Sequence, residues 1–289
     1  MPKNKTIIIT GATGLIGRNL VATAPPGDIF QPSHIDLMDF KELPRADIII
    51  HAAGYAQPSR FLADPVGTLK VNTAVTGHLL NHLNPGGSFL FCSSAEVYNG
   101  LMHPGKEEEI GTTTPQHIRA CYIEGKRCGE AIVNAYRSKG IRAASARIAH
   151  TYGPGAQPGD TRAMSQFIDQ ALLTEKIELR DTGGVIRTFC YVSDTVNMLW
   201  DIVLRGTQNV YNVGGESDIT IWGLAQMIAD KTNSKLSAPF SDAVDTGAPF
   251  EILIDLTRIQ DEFGKRNYID LDKGLDYTIN WHRSLIHGL

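Results

Sequence analysis

With 289 residues, 42% hydrophobic and 20% charged, the chain has the length for one large α/β unit, or for a domain of ~150 residues with a smaller partner. A net charge of −4 with no basic stripe or cationic run argues against a nucleic-acid partner and against an anionic membrane surface. The apolar run after Met1 is too short for a signal peptide or a membrane span, so a cytoplasmic location is expected, and the four cysteines, lacking CxxC spacing, read as reduced and mostly buried thiols, with no metal site.

Thr6–Thr10 reads as a continuous apolar strand, followed at once by Gly11-Ala-Thr-Gly-Leu-Ile-Gly17 and a helix through Ala22. Ile29–Phe30, Asp47–His51, Ser88–Cys92 and Ile141–Arg147 are further strands, with helical stretches at Pro65–Leu83 and Pro115–Lys139 between them. Strands apolar at consecutive positions are covered on both faces, and the βαβα order predicts a Rossmann-type doubly wound parallel sheet. Past Gly153 a Pro/Gly loop leads to a helix at Ala163–Thr174, a turn at Asp181–Gly184, a strand at Arg187–Val192 and a helix at Asp194–Arg205. Thr220–Lys231 is a last helix, with Asp218 and Thr220 as candidate caps, and the final forty residues lack clear periodicity.

The glycine-rich turn sits between a strand and a helix, the context in which such a turn binds a dinucleotide. One glycine permits the tight turn, one admits the pyrophosphate to the backbone, and one lets helix and strand pack closely. The amides of the helix N-terminus complement the anion. Gly11, Thr13, Gly14, Leu15, Ile16 and Gly17 are therefore candidate cofactor contacts. The strand at Ile29–Phe30 is followed by neither an acid nor an arginine, though Asp36 and Leu37 come soon after and are candidates for the adenine end. NAD is favoured because no basic cluster awaits a 2′-phosphate; NADP stays open. Residues 1–153, with 187–213 returning to them, form the expected dinucleotide-binding domain, and 154–186 with 214–289 a smaller C-terminal substrate-binding domain.

Tyr122 and Lys126 lie four residues apart on a predicted helix and so share a face. A free phenol is a poor base at neutral pH. An ammonium ~4 Å away favours phenolate by roughly 4 kcal/mol at an effective dielectric of ~20, or about three pK units, so the pair makes an expected base poised near neutrality. Ser94 ends the strand one step earlier, where ligands of open α/β sheets bind, and its hydroxyl is placed to share the proton.

Taken together, Gly11–Gly17, His51-Ala-Ala-Gly54, Ser93-Ser-Ala-Glu-Val-Tyr98, Arg119-Ala-Cys-Tyr-Ile-Glu-Gly-Lys126, Arg187-Thr-Phe-Cys-Tyr-Val-Ser-Asp194 and Tyr211-Asn-Val-Gly-Gly215 resemble the extended short-chain dehydrogenase/reductase family. The segment around Tyr122 looks most like the UDP-glucuronate decarboxylases and their dTDP-glucose 4,6-dehydratase relatives. The resemblance implies an NAD-dependent enzyme acting on a nucleotide-diphosphate sugar, and a homodimer built through the helices at 65–83 and 115–139. It assigns Tyr122 as the base at the sugar C4 hydroxyl, Lys126 to the nicotinamide ribose, and Ser94 to the C4 oxygen. It further places Ala52, Ala53 and Ser93 against the cofactor, and Asn72, His150 and Arg187 on the substrate, Arg187 gripping the diphosphate.

After C4 oxidation, dehydration, epimerisation and decarboxylation are all open. Where the dehydratases carry Asp-Glu, this chain has Ala95-Glu96, so the acid that expels a C6 hydroxyl is missing while the C5 base is kept. The expectation is epimerase/dehydratase chemistry with Glu96 as candidate base; the alternatives are a decarboxylase, an NADPH-dependent keto-sugar reductase, and a non-catalytic dinucleotide-sensing scaffold, against which the intact Tyr/Lys pair argues.

Overall fold

The computed structural model describes residues 5–32, 43–157, 159–239 and 247–288. Strand β1 (Thr6–Thr10) turns through the glycine-rich loop into α1 (Leu15–Ala22) and on to β2 (Asp28–Phe30). The chain then crosses to the other side of β1 and lays down β3 (Ala46–His51), α2 (Pro58–Ala63), α3 (Pro65–Asn72), α4 (Ala74–Asn81), β4 (Leu83–Ser94), α5 (Ala120–Arg137) and β5 (Arg142–Ile148). After a one-residue step come β6 (His150–Tyr152), α6 (Ala163–Thr174), β7 (Lys176–Glu178), β8 (Ile186–Tyr191), α7 (Val192–Arg205) and β9 (Val210–Val213). The rest is β10 (Ser217–Thr220), α8 (Ile221–Thr232), β11 (Lys235–Ser237), β12 (Glu251–Ile252), α9 (Thr257–Phe263) and α10 (Leu271–His287).

Among the described residues the central sheet has six parallel strands in the order β2-β1-β3-β4-β5-β9. Ile7 and Ile9 pack into the cluster that holds Leu20, Val196 and Leu199, whereas Ile8 packs with Val75, Leu79 and Val133. One strand thus feeds a core on each face, which is why it is apolar at every position. The order reverses at β1 and β3, and the crevice above their C-terminal ends is where ligands of such sheets bind.

A second sheet joins β10, β8 and β12, with β6 also paired to β8. Its apolar face packs on α6, α8 and α10 through Phe167, Phe189, Ile228 and Leu275. The passage from β5 to β6 needs only Ala149, so His150 stands at the seam between the sheets.

Several elements differ from expectation. The stretch 65–83 is broken into two helices: Asp64 caps α3 by accepting from the Gly67 amide at 2.9 Å, α4 starts after Thr73, and Leu83 already belongs to β4, while a separate helix opened by Pro58 precedes them. Helix α5 begins at Ala120 rather than 115, after turns closed by the His117 and Ala120 amides. Arg187–Tyr191 joins the small sheet, not the large one, and the return to the large sheet begins with α7. Thr220 caps α8 by accepting from Gly223 at 3.0 Å, while Asp218 accepts from Thr188 instead. Helix α10 arises where no periodicity was expected. Two cysteines, Cys92 and Cys190, are buried, Cys121 is half-buried and Cys128 exposed.

Candidate active site

A cavity of about 350 Å³ lies at the seam, walled by Leu15, Ile16, Ala52 and Gly54 from the switch-point loops and by Ser93, Ser94, Glu96, Tyr122, Lys126, His150 and Arg187. Beneath it, the Gly14 amide donates to the Gly11 carbonyl at 3.0 Å, closing the turn. Gly11 has φ +70°, and a Cβ built on Gly17 meets the Gly11 carbonyl oxygen at 2.1 Å, so the helix sits against the turn at a distance that only glycine allows. Gly14, as N-cap of α1, offers no side-chain acceptor to the first-turn amides. Those amides and the apolar wall of Leu15, Ile16 and Ala52 fit an anionic dinucleotide. The Thr13 carbonyl accepts from Gln157, which draws the 153–157 loop over the turn. The Ala53 amide is spent on Thr10 Oγ1 at 3.2 Å, and Ala53 is not part of the wall. Asp36 and Leu37 lie outside the described residues.

Ser94 closes β4 and caps a short 3₁₀ turn, its Oγ accepting from the Glu96 amide at 3.2 Å. That turn brings Glu96 back beside α5. There, Tyr122 stacks on Phe61 with ring centroids 4.8 Å apart, and the Ser94 side chain lies near enough to pull its phenol's pKa down. Lys126 Nζ lies 5.7 Å from the Tyr122 ring centroid and donates to the Cys92 carbonyl at 2.8 Å. Tyr122, Lys126 and Ser94 therefore meet in one wall, as their spacing predicts.

Their electrostatics differ from expectation. Burial and the Glu96 carboxylate push the Tyr122 phenol up to about 12, against the pull of Ser94, Arg119 and Arg162. Burial takes Lys126 down to about 8. The ammonium is anchored on a backbone carbonyl, not on the phenol, so the protein by itself does not make the base near neutrality that helix spacing suggested.

Glu96 is not free either. Arg119 Nε donates to its Oε2 at 3.0 Å and Nη2 to its Oε1, a bidentate pair with both side chains largely buried. Arg119 opens the Tyr–Lys segment, but sequence reasoning gave it no role. Its position one turn before Tyr122 was the available signal. Arg162, held by Asp160, is a second wall residue that was missed.

Arg187 reaches the cavity from β8. It donates to the backbone carbonyls of Ile186 at 2.7 Å, Phe250 at 3.2 Å and Pro249 at 2.7 Å, and among the described residues no carboxylate forms a salt bridge with it. His150 is held well below the usual imidazole range, to about 3, by burial and by the charges of Arg187, Arg162 and Arg119. It is thus a neutral hydrogen-bonding group. Asn72 does not reach the cavity wall: it is fully buried, its Nδ2 donating to Thr68 at 2.8 Å and its Oδ1 without a partner behind Gly54. Ser93 turns its hydroxyl to Glu130 at 2.5 Å. Among the described residues no group of His, Cys, Asp and Glu could hold a metal ion, and no helix is long and apolar enough to cross a membrane.

Residues 26–214 match the model of the NAD dependent epimerase/dehydratase family. UDP-glucuronic acid decarboxylase 5 of Arabidopsis thaliana is 30% identical over 94% of this chain and 87% of its own length. UDP-glucuronic acid decarboxylase 1 of Xenopus tropicalis is 33% identical over 89% of this chain, which spans only 59% of that protein. Among solved structures, an epimerase of Methanothermobacter thermautotrophicus superposes with a TM-score of 0.85 over 99% of this chain and 94% of its own, at 20% identity. UDP-glucuronic acid 4-epimerase from Bacillus cereus, solved with UDP-glucuronic acid and NAD, gives 0.82 over 97% and 99%, at 19% identity. These two superpositions carry the fold, and the family assignment read from the motifs is borne out: the chain belongs to the NAD dependent epimerase/dehydratase family.

Proposed function

We propose that the chain is an NAD-dependent enzyme that oxidises C4 of a nucleotide-diphosphate sugar and then acts at C4 or C5. The observation that carries this reading is the convergence of Tyr122, Ser94 and Lys126 on one cavity wall, facing the switch-point loops. NAD, held at the glycine-rich turn, would supply the hydride acceptor for C4 and a positive charge to a buried site. In this reading Tyr122 takes the C4 hydroxyl proton, Ser94 orients that hydroxyl, and Lys126 contributes positive charge to the wall behind the phenol. Arg187, which donates through Nη1 and Nη2 to neutral carbonyls, forms no salt bridge among the described residues and keeps its Nε donor, is suited to a diphosphate. His150 adds a neutral donor. The part built on the six-stranded sheet serves the dinucleotide, and the part built on the small sheet serves the sugar nucleotide.

A second reading, decarboxylation of a nucleotide-linked uronic acid, is favoured by the Glu96–Arg119 pair. Both oxygens of Glu96 are occupied by the Arg119 guanidinium rather than free for a C5 proton, and a C4-ketone with a C6 carboxylate loses CO₂ without a base at C5. The curated decarboxylases at 30–33% identity support the same direction. Incubation with a panel of nucleotide sugars in D₂O separates the outcomes. Isomerisation keeps the mass apart from exchanged deuterium, dehydration loses water, and decarboxylation loses CO₂ and places deuterium at C5. No turnover with any of them would overturn the reading.

The exposed apolar side chains Leu62, Val66 and Leu69 on α2 and α3 support a homodimer, which sedimentation of the purified protein tests. A monomer at all concentrations would overturn it.

A further inference from the structure

We propose that Phe61 is a positioning residue for the C4 base: its ring fixes the plane of the Tyr122 phenol. Helix α5 sets the Tyr122 backbone and leaves two side-chain torsions to be settled by packing. Lys126 does not settle them, since its ammonium donates to the Cys92 carbonyl at 2.8 Å and lies 5.7 Å from the Tyr122 ring centroid. The Phe61 ring does. The two rings stack with centroids 4.8 Å apart and planes 14° from parallel. Rotating the phenol out of that plane would drive its edge into a neighbour that is fully buried and close-packed. A shift of about 1 Å in a reacting group costs on the order of a hundredfold in rate, so a phenol free to tilt is a poorer base than one held flat.

Phe61 is itself held from several sides. It sits on α2, a six-residue helix opened by Pro58, and its amide donates to the Gln57 carbonyl at 3.1 Å. Its carbonyl accepts from Cys121 Sγ at 3.4 Å and from Thr68 Oγ1 at 3.5 Å, which ties it to α3 and to the residue just before Tyr122. The Arg119 guanidinium lies 4.9 Å from its ring centroid, a cation–π distance, while gripping Glu96. The ring therefore meets Arg119 and Tyr122, the two side chains at the start of α5 that face the cavity. Phe61 is not itself part of the cavity wall, so it acts on the reaction only through the side chains it touches. This inference rests on the reading of Tyr122 as the group that takes the C4 proton.

The test is a double-mutant cycle on C4 oxidation, read as NAD reduced in a single turnover, with Phe61→Leu made in the parent and in Tyr122→Phe. In the parent, Phe61→Leu is expected to slow the step by about tenfold or more while KM and NAD affinity stay within about twofold. In Tyr122→Phe, where no hydroxyl is left to aim, the same substitution is expected to cost nothing further. Phe89→Leu, a change at another buried ring that faces the core of Val75 and Leu79, is expected to leave the step at the parent rate. A loss of equal size with and without the Tyr122 hydroxyl marks a merely structural role and overturns the proposal, as does a folded Phe61→Leu that oxidises C4 at the parent rate. Should Phe61→Leu fail to fold, Phe61→Met, which fills the space without a ring plane, is measured against the same expectation. If the parent oxidises no nucleotide sugar, the proposed function falls, and fluorine NMR of 3-fluorotyrosine at position 122 still decides the role of Phe61. That resonance, assigned by its loss in Tyr122→Phe, is expected to be single and narrow in the parent and to broaden or split in Phe61→Leu; an unchanged line overturns the proposal.

Discussion

Arg119 lays its guanidinium fork across both carboxylate oxygens of Glu96, with the side chains 5% and 15% exposed. From that fixed position the Glu96 charge raises the Tyr122 phenol, second only to burial. Glu96→Gln removes the anion, so the phenol loses its proton at lower pH than in the parent. The acid limb of C4 oxidation, measured as reduced cofactor formed in a single turnover, is expected to move to lower pH. A limb that stays put or moves up would contradict a charged Glu96 acting on the phenol.

Tyr122→Phe keeps the ring stacked on Phe61 and deletes only the hydroxyl beside Ser94. C4 oxidation should fall by about 10²–10⁴-fold, the usual worth of a positioned acid or base. The melting temperature should change little, because Tyr122 lines the cavity. Turnover within a few-fold of the parent would mean that another group takes the C4 proton.

The first half of the fold was readable because its signals are local. Ile7, Ile8 and Ile9 announce a strand covered on both faces, and Gly11, Gly14 and Gly17 announce the turn that follows. Helix α10 was missed because its buried stripe mixes Leu271, Leu275 and Ile279 with Thr278 and His282, which a count of apolar residues discards. Its Asp270 cap, accepting from the Lys273 amide at 2.9 Å, was the clearer mark. In the site, the four-residue step correctly brought Tyr122 and Lys126 to one wall. It said nothing about what else would compete for the ammonium, and the Cys92 carbonyl is a backbone group that no side-chain motif reveals. Arg119 was overlooked for a related reason: its partner Glu96 lies 23 residues away in sequence and meets it only through the 3₁₀ turn.

Two glycines of the turn should separate packing from binding. A Cβ on Gly17 would meet the Gly11 carbonyl oxygen at 2.1 Å, a backbone atom that cannot step aside, whereas one on Gly14 meets the same atom only at 3.4 Å. Gly17→Ala is expected to cost about 1–3 kcal/mol by overpacking, seen as a lower urea midpoint without cofactor. Gly14→Ala should keep most of its stability and lose at least tenfold in NAD affinity by calorimetry, as the methyl enters the space for the pyrophosphate. Equal NAD affinity in the parent and Gly14→Ala would remove the turn from the cofactor site.

His51 gives the fold an acid weakness. Fully buried, it exchanges a hydrogen bond with Thr10 Oγ1 at 2.8 Å through Nδ1 and bonds the Val71 carbonyl at 2.9 Å through Nε2. That arrangement suits the neutral ring, with Thr10 donating and Nε2–H donating, and desolvation by burial holds its pKa to about 4, below the ordinary 6.5. As pH falls through 6.5 the unfolded chain binds this proton while the folded one refuses it, so stability is complete above that pH and is lost towards 4. His51→Gln should unfold more easily at pH 7, by about 1–3 kcal/mol for the disturbed hydrogen bonds. Its urea midpoint should then decline less steeply than the parent's between pH 6.5 and 4. Parallel declines in the two proteins would place the acid weakness elsewhere.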